Sequence, residues 1–164
     1  MFKLIFALVV IVSSSLIGNS FSVKLTNRRK TLSEIVNSIN KAKTLICFGG
    51  MDTKRVVQEC FCSEDFMLLD KDMLENERFD ISFETSVRKI NPAFSLTKAD
   101  QELLLQFGTK LGMTDVTGQV AHTELYAQLF SERLSQVKTQ ENEKSRLYRI
   151  LGFSVGSAIS LLIA

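Results

Sequence analysis

Residues 115–137 read DVTGQVAHTELYAQLFSERLSQV, and the fold class turns on this stretch. Val120, Thr123, Ala127, Phe130, Leu134 and Val137 recur at alternating steps of three and four. That spacing gathers them on one side of an α-helix, as the seam of an antiparallel helix pair. Asp115, or Thr114 before it, stands where the helix opens, and a carboxylate there complements the positive end of the helix dipole. No breaker lies between Gly118 and Gly152. One helix is therefore expected to run from about residue 115 through the polar stretch 138–146 into the apolar C-terminal segment.

Upstream the same period recurs. In Lys98–Leu111, the residues Leu103, Leu104, Phe107 and Leu111 share a side, Thr97 is placed as a cap, and Gly112 has the position of a left-handed helix stop. Gly108 is expected to permit close backbone approach between helices. Thr31–Phe48 carries Leu32, Ile35, Val36, Ile39, Ala42, Leu45 and Ile46 on one face and ends at Gly49-Gly50. Asp52 or Thr53 then caps a helix with Val56, Val57, Cys60 and Phe61 inward, Phe66–Leu69 and Phe79–Ile90 read as shorter helices, and Pro92 interrupts the chain. No alternating strand pattern competes. The expectation is an all-α bundle of five or six helices around a long antiparallel pair.

The chain has 164 residues, enough for one ordinary domain once the two apolar ends are set aside. All 18 acidic residues and all of the 20 basic ones except Lys3 lie between Ser22 and the uncharged Ile150–Ala164. The middle is nearly charge-balanced, so there is no electrostatic case for nucleic acid. Met1–Ser22 reads MFKLIFALVVIVSSSLIGNSFS. As a helix, Leu4–Phe21 spans roughly 27 Å, near the thickness of a hydrocarbon core. Two readings stand: a retained membrane anchor, or a secretory signal with Lys3 as its charged start and small residues at Gly18–Ser22. Leu147–Ala164 reads LYRILGFSVGSAISLLIA and is expected to be a transmembrane helix. Its uncharged part reaches roughly 22 Å, extended by Arg149 snorkelling to the headgroups beside Tyr148. Gly152, Gly156 and Ser160 recur every four residues as a stripe that lets another helix approach. Ser14, Gly18 and Ser22 repeat the spacing in the first segment.

The basic residues set the orientation. Lys24, Arg28, Arg29 and Lys30 follow the first segment, and Lys138, Lys144, Arg146 and Arg149 lead into the last, with Lys3 alone on the far side. The positive-inside rule then puts the middle domain in the cytoplasm. The predicted organisation is an N-terminal anchor (1–22), a soluble helical domain (24–146) and a C-terminal transmembrane helix (147–164). The alternative is a secreted, C-terminally anchored binding protein whose first segment is cleaved. Cys47, Cys60 and Cys62 are odd in number and too few for a disulfide framework.

Catalytic signatures are absent: the chain has no Gly-rich phosphate loop, no His-Glu-x-x-His and no Gly-x-Ser-x-Gly. The single His, His122, reads as a surface or packing residue. Cys60-x-Cys62 on a helix points two thiols apart, which is poor zinc geometry. A non-enzymatic protein without cofactor or metal is expected, and the candidate site residues are structural: Gly108, Gly112, Gly152, Gly156 and Ser160.

From Leu103 onward the phrases Gln106-Phe107-Gly108, Leu111-Gly112, Asp115, Gln119, Arg146-Leu147-Tyr148 and Leu151-Gly152, with Gly156 near the end, occur at intervals that resemble the stage III sporulation protein AB family. The resemblance is strong over about residues 97–164 and one of layout in the first half. Members usually carry a Thr-Pro pair after the turn at Gly49-Gly50, where this chain reads Asp52-Thr53-Lys54. The resemblance implies a helical domain similar to the cytoplasmic domains of type II secretion platform proteins. It also implies a scaffold role in the sporulation channel between mother cell and forespore, in the outer forespore membrane, with the domain in the mother-cell cytoplasm. Other stage III sporulation proteins, including the companion ATPase AA, are the implied partners, and a homo-oligomer is compatible with it.

Overall fold

The computed structural model describes residues 2–49, 52–64, 66–74 and 79–163, with side chains described within 23–147. Among these residues six α-helices and one 3-10 turn follow in order: α1 (Phe2–Gly49), α2 (Thr53–Phe61), α3 (Lys71–Leu74), α4 (Phe79–Arg88), the turn Pro92–Phe94, α5 (Lys98–Lys110) and α6 (Val116–Ile163). The described residues form helices and one isolated bridge, Cys62 to Met67. Among them no helix is long and apolar enough to cross a membrane. The two expected anchors fall on residues 1–22 and 147–164, whose side chains, apart from that of Leu147, lie outside the described set.

α1 and α6 have 48 residues each, about 72 Å of continuous helix. They pack antiparallel: Arg29 meets Glu141 near one end of the packed region, and Lys43 meets Glu124 towards the other. The Thr31–Phe48 helix is thus the upper part of a longer rod that continues without break from residue 2. The remaining helices lie on one side of this spine. α2 runs back along α1, with Lys41 Nζ donating to the Glu59 carbonyl at 3.1 Å. α4 and α5 form a hairpin whose connecting turn, Asn91–Thr97, sits against α1 at residues 27–31. This lower end is the base of the domain. The opposite end, where α1 passes to α2 and α5 passes to α6, is its tip.

The core lies between spine and layer. α1 contributes Leu32, Ile35, Ile39, Ala42 and Ile46, α6 contributes Thr123, Tyr126, Phe130 and Val137, and Phe61, Phe83 and Phe107 fill the centre. These α1 and α6 positions follow the three-four spacing that a helix needs to bury one stripe. Phe66–Leu69 departs from the helical expectation. The amides of Leu68 and Leu69 both donate to the Phe61 carbonyl, which closes the end of α2. Phe66, Leu68 and Leu69 are all buried, so the segment plugs the core as an irregular loop, and the short helix begins at Lys71 instead. At α2, Asp52 is the N-cap but makes no side-chain cap bond.

Candidate functional site

The base is held by a part-buried ion pair, with the Asp100 carboxylate fully buried and Arg28 at its edge. Arg28 donates from Nε to Asp100 Oδ2 at 2.8 Å and from Nη2 to Oδ1 at 3.0 Å. Asp100 is also the third residue of α5. Its Oδ2 accepts from the Thr97 backbone at 2.9 Å and from the Thr97 hydroxyl at 2.7 Å, and its own amide donates to Thr97 Oγ1 at 3.2 Å. The capping box of α5 is thereby fused to α1. Burial alone pushes the Asp100 carboxyl upward, but the hydrogen bonds from Arg28 and Thr97 and the guanidinium charge outweigh it, and the group titrates below the ordinary carboxylate. Beside the pair, Thr31 Oγ1 donates to the Phe94 carbonyl at 3.0 Å, and Ser95 takes a left-handed conformation to turn the chain into α5. Thr97 is legible as a cap in the sequence, and the Thr97-x-x-Asp100 spacing carries the capping box. Arg28 reads there only as one of a basic group, because its partner is distant in sequence.

Along the spine, Glu141 accepts from Thr26 Oγ1 at 2.7 Å and from Arg29 Nε at 2.7 Å, and Glu124 pairs with Lys43. These ties cross from α1 to α6 at the two ends of the packed region and set its register.

The tip holds Gly112, with φ +85, in the turn from α5 to α6. A Cβ there would stand 2.4 Å from Thr53 Oγ1 at the start of α2. At Gly108 a Cβ would fall 2.0 Å from Phe83 Cε1. The space beside Gly108 is occupied by the Phe83 ring of α4. Asp115 Oδ1 accepts from the Gly118 amide at 3.0 Å and opens α6. His122 Nε2 lies 2.9 Å from the Phe107 carbonyl and must carry the proton, since a carbonyl only accepts. Its ring stacks on Phe107 at an interplanar angle of 4° and contacts Tyr126. Around this end, Phe48 is 88% exposed, Met113 77% and Val116 56%. Isolated exposed apolar residues are ordinary, and Val23, Leu125 and Leu147 are exposed along the spine too, but the two most exposed, Phe48 and Met113, both fall at the tip. Gly152, Gly156 and Ser160 fall in α6 beyond the described side chains.

The cysteines remain apart. Cys47 is exposed, while burial pushes the Cys60 and Cys62 thiols up to about 11. No group of three metal-ligating side chains converges among the described residues.

Residues 3–164 match the family described as stage III sporulation protein AB. The chain is 22% identical over 171 residues to stage III sporulation protein AB of Bacillus subtilis (strain 168), covering 99% of each. No solved structure gives a significant match. With nearly its whole length spanned, the chain belongs to the stage III sporulation protein AB family.

Proposed function

We propose that this protein is a non-enzymatic membrane scaffold of the stage III sporulation channel, tethered by residues 1–22 and 147–164 and presenting residues 24–146 to the mother-cell cytoplasm. One observation carries the reading: each spine helix runs unbroken from a terminal apolar segment to or near the tip, and the two are cross-tied at Arg29–Glu141 and Lys43–Glu124. A rod of this kind transmits position. A load on the tip passes to the membrane segments without a hinge to absorb it, because the helices hold no Pro and the ties hold their register.

In this reading Gly152, Gly156 and Ser160 give the membrane helices a close contact face, Gly108 and Gly112 shape the head, and the apolar tip meets a cytoplasmic partner. That partner would be another stage III sporulation protein, the companion ATPase AA first among them.

The test is made in the native host during sporulation. The full chain should pellet with membranes after alkaline carbonate washing, with residues 1–22 retained by mass spectrometry of the N-terminus. Phe48→Asp with Met113→Asp should keep that location and lower the yield of heat-resistant spores. Loss of the N-terminal segment, or release by carbonate, overturns the topology. Full sporulation by the double variant overturns the role of the tip.

A further inference from the structure

We propose that the base of the domain is itself a lipid-binding surface: the Asn91–Thr97 turn, with Lys24, Lys30, Lys89 and Lys98, rests on the anionic phospholipid headgroups of the membrane that anchors the chain. The inference builds on the membrane-tethered reading and adds to it a contact that the tether alone does not require.

The argument starts from height. The turn is fastened to α1 at Asn27, whose Nδ2 reaches the Ala93 carbonyl at 3.5 Å, and at Thr31, which reaches Phe94. With the apolar segment ending at Ser22, those attachment points stand about 8 to 14 Å further along the helix. The headgroup layer is roughly 5 to 8 Å thick on each side of the hydrocarbon. The turn therefore lies at the outer edge of that layer, within a Debye length of its charge.

The second step is charge. On α1, Lys24 precedes the attachment points and Lys30 lies between them, Lys89 enters the turn from α4, and Lys98 leaves it at the start of α5. All four are exposed, and none of them meets a carboxylate among the described residues. The two carboxylates that touch α1 at this level are already occupied: Asp100 by Arg28, and Glu141 by Arg29. Glu143, exposed at the same level of α6, adjoins Lys144. At this level of α1 the structure thus neutralises Arg28 and Arg29 internally and leaves these four lysines exposed. Lysine suits a fluid headgroup layer, since its compact ammonium needs no fixed bidentate partner.

The third step is shape. Asn91, Pro92 and Ala93 are exposed at the lowest point of the hairpin, and Asn91 Oδ1 accepts from the Ala93 amide at 2.9 Å. The turn is small, closed on itself and free of acidic residues from Lys89 to Ala99. It can approach a charged surface without desolvating a carboxylate.

The experiment uses the full-length chain with Cys47→Ser and Ala93→Cys, labelled at residue 93 with a fluorophore. Cys60 and Cys62, with thiols near 11, stay unlabelled at neutral pH. The protein is reconstituted into vesicles of phosphatidylcholine alone, or with one-third phosphatidylglycerol, each doped with a lipid carrying a nitroxide on its headgroup. Quenching at residue 93 should be strong in the anionic vesicles, weak in the neutral ones, and reversed by salt. Replacing Lys24, Lys30, Lys89 and Lys98 by Gln should lower the lipid-contacting population by about fivefold per lysine. A label at Met113→Cys, on the tip, should remain unquenched throughout. If the Gln variant loses helicity, the salt and lipid dependence of the unsubstituted lysines decides alone. Insertion without anion-dependent quenching at residue 93 overturns the lipid contact and leaves the tether standing. Failure to insert, seen as release from floated vesicles by carbonate, overturns both.

Discussion

Arg28 and Asp100, 72 positions apart, meet through two hydrogen bonds of 2.8 and 3.0 Å, and the carboxylate so held is also the capping residue of α5. One buried group thus serves a helix end and a tertiary joint together. Removing Arg28 leaves a fully buried carboxylate without its counter-charge, which costs about 3–5 kcal/mol. Arg28→Ala in the detergent-solubilised full chain should lower Tm by about 10 °C or more. Asp100→Asn, which leaves no buried carboxylate and keeps an acceptor for Thr97, should cost clearly less. Equal Tm values for Arg28→Ala and the unmodified protein would refute the joint.

The same pair fixes an acid limit. The folded Asp100 carboxyl lies below its ordinary value of 3.8. A depressed carboxylate contributes stability that is fully present above the unfolded value and lost as pH falls through the folded one. Denaturant titrations should therefore show constant stability from Asp100 above about pH 5, and a decline below pH 4. Asp100→Asn should flatten that decline, and an unchanged acid slope in this variant would show the group to be unperturbed.

Much of the fold is legible in the sequence because helices bury one stripe. Leu32, Ile35, Ile39, Ala42 and Ile46, with Thr123, Phe130 and Val137 opposite, follow directly from spacing, as do the Thr97 and Asp115 caps. What spacing does not carry is the partner across space. Arg28 looks like a topogenic cation until Asp100 is found beside it. Gly108 reads as a helix-packing position, but that the Phe83 ring is what lies against it is not in the spacing. Phe66–Leu69 has apolar residues at helical spacing, but the Phe61 carbonyl captures the Leu68 and Leu69 amides and no helix forms. The apolar tip is also invisible in the sequence, since Phe48 continues a helix whose neighbouring face is buried.

Gly108 makes a prediction about that ring. A methyl group at this position would stand 2.0 to 2.5 Å from three atoms of the fully buried Phe83 side chain. Overpacking of this order costs about 1–3 kcal/mol. Gly108→Ala should be destabilising, and Phe83→Leu should recover part of the loss when combined with it. The coupling is read from a double-mutant cycle by thermal denaturation. Additive effects would mean that the two positions do not meet.

Gly112 combines backbone and side-chain constraints. Its φ of +85 disfavours any residue with a Cβ, by roughly 1 kcal/mol or more. The Thr53 hydroxyl, 2.4 Å from where that Cβ would lie, adds a clash. Gly112→Val should be the worse substitution and Gly112→Asn the milder, since Asn tolerates the left-handed region. Thr53→Ala should relieve only the steric share. A Gly112→Val protein with unchanged thermal stability would contradict the strained turn.

His122 tests how α5 is closed. The Leu111 amide bonds the Gly108 carbonyl, which leaves the Phe107 carbonyl without the amide four residues on, and His122 Nε2 supplies the donor at 2.9 Å. The ring also stacks on Phe107 and tilts against Tyr126. Two contributions are therefore separable. His122→Phe keeps a ring on Phe107 but leaves the carbonyl unpaired, at a cost of about 1–3 kcal/mol. His122→Gln offers a donor without the ring and forfeits the aromatic contact, worth about 0.5–1.5 kcal/mol. His122→Ala loses both and should be the least stable of the three by denaturant midpoint. If His122→Phe matches the unmodified protein, stacking alone holds the α5–α6 corner and the carbonyl is satisfied by solvent.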